Sequence, residues 1–431
     1  MNREMKNSGI PWIGDIPVSW SVMPHKRVMH KVKEIQEHYN GEDIISLTMR
    51  GVIVRDLEAG GKMPTSFDGY QKVYPNNLLQ CLFDIDVTPR CVGLIKNEGL
   101  TSPAYSQFEM HSNAYAPYYD YLLRYMDDGK TLLHLSKNLR SSLTETDFGA
   151  IPTCVPPISV QQKIASFLDI KCAEIDEMIA LQEKIVEELK AYKQSVITEA
   201  VTKGLNPDVP MKNSGVEWIG EIPEHWKQCR LKNYFHLHGR IGWNGLRSDE
   251  FEESSYAYLV TGQDFKAKDI DWKKCYQIRK ERYDEDPFIQ LTEGDILVTK
   301  DGTIGKVAVV KNLNKPACLN SGIFVVKQYE PKCFDSGYVY WLLVSPLLKT
   351  FNDFLNLGGT TIIHLYQNVF ERMPLVLPPL EEQQAIANHL DKICSEIDSL
   401  IRIKESKIDS LKEYKKSIIY EYVTGKKEVT L

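Results

Sequence analysis

The chain has 431 residues, with 52 Lys and Arg against 58 Asp and Glu, a net charge of −6. That length allows two or three domains. The acidic balance excludes nucleic-acid binding through overall charge and leaves only local basic patches for such a role. The longest apolar stretch, Tyr338–Leu348, is too short to span a bilayer and contains Pro346.

No apolar run follows Met1-Asn2-Arg3-Glu4, so the sequence predicts no signal peptide. The nine cysteines lie at least ten residues apart. That spacing gives neither a zinc cluster nor a disulfide framework, and it fits a reducing cytoplasm.

In chain order, the first feature is a motif from Met5 to Pro17 that returns from Met211 to Pro223, 206 positions later. Ser8-Gly9-Ile10-Pro11-Trp12-Ile13-Gly14 is matched by Ser214-Gly215-Val216-Glu217-Trp218-Ile219-Gly220. Trp20 and Trp226 extend the match, and each reads as the anchor of a small local core rather than a base-stacking platform.

Residues 21–155 read as mixed α and β. Gly51–Val54, Leu78–Phe83 and Cys91–Ile95 have strand character, with a turn at Asp86–Arg90. Tyr118–Met126 and Lys130–Leu139 read as helices.

The stretch Pro156–Gly204 is then predicted as one long helix, and it too recurs, as Pro378–Gly425, 222 positions later without a gap. Gln161-Gln162, Leu168-Asp169, Glu174-Ile175-Asp176 and Tyr192-Lys193 return as Gln383-Gln384, Leu390-Asp391, Glu396-Ile397-Asp398 and Tyr414-Lys415. The Pro-Pro pair suits the approach to a helix, and Ser159 with Gln162 matches a capping box. Gly204 and Gly425 supply C-terminal stops. Roughly 44 residues at about 1.5 Å each give a rod of about 66 Å.

Leu168, Ile175, Leu189 and Val196 repeat at seven-residue spacing with Gln182 in the middle slot, and Met178, Ile185 and Tyr192 take a second heptad position. The second copy offers Leu390, Ile397, Lys404, Leu411 and Ile418, with Ile393, Leu400, Lys407 and Tyr414, a coiled-coil seam with polar interruptions near its centre. A further row holds Cys172, Ile179 and Val186, matched by Cys394, Ile401 and Ile408. The stripe is wider than a two-stranded seam needs. The extra row serves either another protein or the chain's own globular domains.

Gly204–Pro210 is a short linker, and residues 227–377 repeat the mixed pattern with different side chains. Gly294–Val310 reads as strand, turn, strand around Asp301-Gly302. Tyr338–Asn352 reads as helix, and Gly358–Thr361 as a flexible loop. The region between motif and helix is 16 residues longer in the second half than in the first. The pattern is thus motif, variable region, helix, then all three again. The fold class is α+β: two pseudo-repeated mixed domains separated by two long helices in an antiparallel coiled coil. The divisions fall at 1–155, 156–204, 205–377 and 378–431.

No catalytic constellation emerges. The Gly302–Lys306 segment is too short for a P-loop, no GxGxxG occurs, and neither Pro-Pro pair carries the flanking residues of an amino-methyltransferase loop. His236 and His238 have no third ligand, so no metal site is expected. One basic, aromatic-interleaved stretch stands out, Phe265–Tyr283, whose charges include Lys273, Lys274 and Arg279. Such a mixture suits phosphate contact with base-edge readout. A solvated surface fits equally, because residues 227–306 balance 14 basic against 14 acidic side chains. Lys300, Thr303 and Lys306 on the Asp301-Gly302 hairpin form a second candidate, with a plain turn as the simpler reading. Arg50, Arg90, Lys137 and Arg140 are the candidates in the first variable region.

The doubled Ser-Gly-x-x-Trp-Ile-Gly-x-Ile-Pro motif and the run Leu377–Asp391 resemble type I restriction–modification specificity subunits. So does the Gly294–Val310 hairpin. The first copy of the helix motif departs from the pattern in carrying Ile158-Ser159-Val160 before Gln161. The resemblance covers essentially the whole chain. It implies two target recognition domains, each reading one half of a bipartite DNA site, and two helices that act as a ruler for the spacer. Because the two variable regions differ in sequence and length, the half-sites are expected to differ and the target to be asymmetric. The resemblance also implies docking of two modification subunits through those helices, whose coiled-coil and partner candidates, read from the heptads, are Leu168, Ile175, Ile179, Ile185, Leu189 and Tyr192 on the first. The matching positions on the second are Leu390, Ile397, Ile401, Leu411 and Tyr414. Restriction subunits would join that assembly. No catalysis or cofactor is implied for this chain; S-adenosylmethionine, ATP and Mg are expected on the partner subunits. The alternative from the residues alone is a non-enzymatic coiled-coil scaffold that binds no DNA.

Overall fold

The computed structural model describes residues 3–60, 64–136, 141–240, 246–330, 333–355 and 365–429. It divides into two units. The first joins Met1–Glu183 to Ser406–Leu431, and the second is Lys184–Glu405. Two long helices, Ile158–Lys203 and Leu380–Val423, each contribute one half to each unit.

The units repeat each other in detail. In the first, Met5–Asn7 pairs antiparallel with Asp15–Pro17; in the second, Met211–Asn213 pairs with Glu221–Pro223. The motif is built for that turn. The Asn7 side chain accepts from Gly9 N at 2.8 Å, and Asn213 accepts from Gly215 N at 2.7 Å. Gly14 and Gly220 take positive φ near +70°, where a side chain would be strained. Each domain is then closed by its own first and last strands. Ser21–Pro24 pairs with Pro152–Val155, and Lys227–Arg230 with Pro374–Leu377.

Each unit holds one antiparallel four-stranded sheet in the same order. The first runs Met29–Val32, Ser106–Met110, Leu78–Gln80, Val92–Leu94. The second runs Phe235–His238, Ile323–Gln328, Ile296–Thr299, Val307–Val309. The Gly294–Val310 expectation is met, whereas Leu78–Phe83 ends as a strand at Gln80. The helix expected at Tyr118–Met126 spans Ala116–Asp128, and the one from Lys130 spans Thr131–Leu135. Tyr338–Asn352 divides into Ser336–Val344 and Pro346–Leu355. Pro346 has no N–H to continue the first helix but suits the first position of the next. Gly358–Thr361 lies outside the described residues.

Buried glutamines explain the Gln-Gln repeat. Gln161 accepts from Tyr115 N at 2.8 Å and donates to the carbonyls of Asn113 and Pro156. Gln383 accepts from Asp335 N at 2.8 Å and donates to Pro378 O and Cys333 O. Each pins the first turn of a long helix to the loop before a domain helix. The capping-box expectation is corrected here. The helix already begins at Ile158, so Ser159 lies inside its first turn and the buried contact falls to Gln161.

Aromatic residues secure the other helix ends. Tyr118 Oη donates to Val423 O at 2.8 Å, and Tyr338 Oη to Val201 O at 3.2 Å. The terminal glycines take positive φ, +79° at Gly204 and +72° at Gly425. A Cβ on Gly204 would stand 3.2 Å from the Trp226 ring, and one on Gly425 would stand 2.5 Å from Pro17 Cδ and 2.9 Å from the Trp20 ring. Both tryptophans are fully buried, as core anchors should be.

The seam between the long helices differs from the predicted one. Leu168, Ile175, Leu390, Ile397 and Leu411 are buried as expected, and Leu189 is half-buried. The second buried row is Cys172, Ile179 and Val186, with Cys394, Ile401 and Ile408. Steps of four and three from Leu168 keep that row on the packed face. The row assigned to the seam, three residues after Ile175, points outward: Met178 is 44% exposed and Tyr192 55%, while Ile185 is half-buried. The helices run antiparallel. In the first unit Lys415 Nζ meets Asp176 at 2.6 and 2.7 Å, and Phe167 packs on Tyr422. In the second, Lys193 meets Asp398 at the same distances. These are repeat-equivalent pairs with donor and acceptor exchanged between the helices.

One buried position breaks the repeat. His25 lies in the short 3-10 turn His25–Arg27, fully buried against Phe148 at 4.6 Å, where the second unit carries buried Leu231. Burial pushes the imidazole pKa down from 6.5 to about 4. The unfolded chain therefore binds a proton that the folded one refuses. Stability is full above about pH 6.5 and falls as the pH drops toward 4, by on the order of 3 kcal/mol. His25→Leu is expected to flatten that part of the stability–pH curve, measured by denaturant unfolding at pH 7 and pH 4.5. An unchanged slope contradicts the assignment.

Candidate nucleic-acid interface

The second unit presents its best candidate surface at the tip of the Ile296–Thr299/Val307–Val309 hairpin. Thr299, almost fully buried, staples this tip. Its hydroxyl donates to Thr303 O at 2.5 Å and accepts from Lys306 N at 3.0 Å, while its carbonyl accepts from Gly305 N at 3.0 Å. Gly302 and Gly305 take positive φ, which lets the loop fold back this tightly. Lys300 is half-buried, with its ammonium 4.9 Å from the Phe324 ring and its N–H bonded to Gly322 O at 2.9 Å. Thr303 and Lys306 are exposed. The three predicted residues thus share one loop, with two presented outward and one braced beneath.

Arg240 lies under this end of the sheet and was not singled out from the sequence. It is buried, with Nε donating to Leu319 O at 3.0 Å and Nη2 to Cys318 Sγ at 3.4 Å. One arginine among 14 basic residues carries no local mark of such burial.

The basic stretch Phe265–Tyr283 folds as a hairpin, a strand at Tyr276–Ile278 and a helical turn at Lys280–Asp284. Several of its charges are paired. Arg279 meets Glu252 at 2.7 Å, Lys274 meets Asp271 at 3.9 Å, Lys280 pairs with Asp284, and Arg282 meets Glu250 at 2.7 Å. Hydrogen bonding from Arg279 holds the Glu252 carboxyl below its usual range. Trp272 is committed to packing: it lies tilted against Tyr258 at 5.3 Å and donates to Lys311 O at 2.8 Å. Lys273, Lys274 and Arg279 remain exposed. Exposed pairs are worth little, so these cations exchange a carboxylate for a phosphate at small cost.

In the first unit, Arg50 sits exposed at the tip of the Ile45–Thr48/Gly51–Val54 hairpin. Arg90 is placed differently. It is 16% exposed and bonds Asp128 at 3.0 Å and Asp127 at 3.5 Å, on the last turn of the Ala116–Asp128 helix. Asp127 also accepts from Cys91 N at 3.0 Å. Arg90 therefore fastens a hairpin to a helix end. Lys137 and Arg140 lie outside the described residues. Among the described residues no group of His, Cys, Asp and Glu is arranged to hold a metal ion, and no helix is long and apolar enough to cross a membrane.

A family model described as the type I restriction modification DNA specificity domain matches residues 223–413. The specificity subunit of the type I restriction enzyme MjaVIII from Methanocaldococcus jannaschii is 28% identical over 286 residues, 65% of this chain and 63% of that protein. The chain is similar in sequence to type I restriction–modification specificity subunits. Solved structures agree in fold. A chain from work on complex assembly and conformational transition of the type I R-M system superposes with a TM-score of 0.71 at 16% identity, over 95% of this chain and 98% of that one. The HsdS subunit from Thermoanaerobacter tengcongensis gives a TM-score of 0.54 at 15% identity, over the same shares. The relatives are named as specificity subunits.

Proposed function

We propose that this chain, as a specificity subunit, reads one interrupted DNA target, with each unit taking one half. The observation that carries the reading is the repeated sheet with unlike tips. Strand order is the same in both units, yet the loop after Leu78–Gln80 is anchored through Arg90, whereas the loop after Ile296–Thr299 presents Thr303 and Lys306. A shared scaffold with different reading edges suits two half-sites of different sequence, so the target is asymmetric. Exposed lysines supply phosphate contacts and arginine the default guanine contact.

The outward rows of the long helices are the docking surface for two modification subunits, which restriction subunits join. S-adenosylmethionine belongs with the modification subunits, and ATP and Mg with the partners that restrict. The first unit offers Met178, Leu181 and Tyr414, and the second offers the repeat equivalents Leu400, Ile403 and Tyr192. Large apolar side chains exposed in the same positions twice fit a partner that binds twice.

The test replaces Leu181 and Ile403, which are 56% and 62% exposed, with glutamate. Buried hot-spot residues are worth about 2 kcal/mol or more each, and each copy of the partner meets one of the two replacements, so the double variant should bind the modification subunit roughly thirtyfold more weakly or worse at each site. Its folding should be unchanged. Co-purification at parental yield contradicts this docking surface.

A further inference from the structure

We propose that Lys268 is a positioning residue that sets the angle of the second unit's recognition hairpin on the second long helix, and thereby the spacer length that the complex accepts. This deepens the two-half-site reading and rests on it.

Lys268 lies in the turn of the short hairpin Phe265–Lys266/Asp269–Ile270, after Ala267 with φ +53°. Its side chain is 15% exposed, and its ammonium meets both carboxylate oxygens of Asp391 at 2.6 and 2.7 Å. Asp391 belongs to the second long helix. Its Oδ1 also accepts the Trp341 indole N–H at 2.8 Å. The ammonium stands 5.3 Å from the Tyr340 ring and 5.8 Å from the Trp341 ring. Carboxylate, indole and cation therefore fix one another in a single arrangement. A Cβ on Gly337 would stand 3.4 Å from Lys268 Nζ and 3.1 Å from Ala387 Cβ, so the small residue there lets the domain helix approach.

The backbone of Lys268 faces the other way. Its carbonyl accepts from Val309 N at 2.8 Å, on the strand that leads out of the Lys300–Lys306 tip. One residue thus holds the reading hairpin by its main chain and the ruler helix by its side chain. The first unit is built otherwise: Asp169, the repeat equivalent of Asp391, accepts from Tyr121 Oη at 2.8 Å, and Arg124 is held by Asp120. A displacement of about 3.4 Å along DNA is one base pair, so a small tilt at this clamp changes the spacing that fits.

The experiment uses the full chain assembled with its modification subunits. Methylation is measured on duplexes that carry both half-sites with the native spacer, or with one base pair added or removed. The parent should prefer the native spacer, and Lys268→Met should reduce that preference by about tenfold. Asp391→Asn, which keeps an acceptor for Trp341, should do the same, and Lys268→Arg should restore it. A purely structural lysine would lower stability and overall rate while leaving the ratio between spacers unchanged. Parental spacer preference in Lys268→Met and Asp391→Asn overturns the proposal. A parent complex indifferent to spacer length overturns the two-half-site reading itself, and the clamp with it.

Discussion

Replacing Trp226 by Ala is expected to lower the stability of the second unit by about 3–5 kcal/mol, the range for deleting a large buried aromatic. The ring is fully buried, faces Gly204 at the end of the first long helix, and donates from Nε1 to Glu382 at 2.9 Å on the first turn of the second. The same carboxylate meets His225 Nε2 at 2.7 Å. One side chain therefore ties the N-terminal motif of the unit to both helices. A loss of this size is a large share of the 5–15 kcal/mol typical of a native domain. Denaturant unfolding measures it, with half-buried Trp218→Ala as the milder control. A variant of parental stability that binds DNA poorly would contradict the core role and point to base stacking instead.

The second large effect falls on the hairpin tip. Replacing Lys300, Thr303 and Lys306 together by Ala should weaken binding of the assembled complex to its target by roughly a hundredfold or more, at about 1–3 kcal/mol for each DNA-contacting side chain removed. Lys306→Ala alone should weaken all duplexes alike and lower the salt slope by about 0.9, the signature of one phosphate. Arg90→Ala should behave in the opposite way. It strips the partner from Asp127, which is almost fully buried, and so costs stability while leaving base preference intact. Folding and salt-dependent binding, measured on the same variants, separate the two outcomes. Parental affinity in the triple variant would remove this tip from the reading surface.

Much of the architecture was legible because the chain states it twice. The Trp-Ile-Gly motif, the uninterrupted long helices, their glycine ends and the Asp301-Gly302 hairpin are local signals, and each appears where local chemistry places it. The seam was harder. Rows three and four residues after Ile175 are both apolar, and periodicity alone does not decide which faces the neighbouring helix. Packing selects Ile179 and leaves Met178 outside. The split before Pro346 was hidden by apolar residues on both sides of it. The candidate site was least legible. Arg90 and Lys268 have their partners 37 and 123 residues away, so nothing near either residue announces that its charge is committed. Gln161 is likewise explained only once Asn113 and Tyr115 stand beside it.

The most direct test is to co-express this chain with the proposed modification subunit and map adenine methylation across the host genome. Methylation confined to one interrupted motif with two different halves is the predicted result, and it would supply the target and spacer together. A complex that forms and binds DNA but leaves no motif-specific mark would contradict the assignment of the two units as readers of a bipartite site.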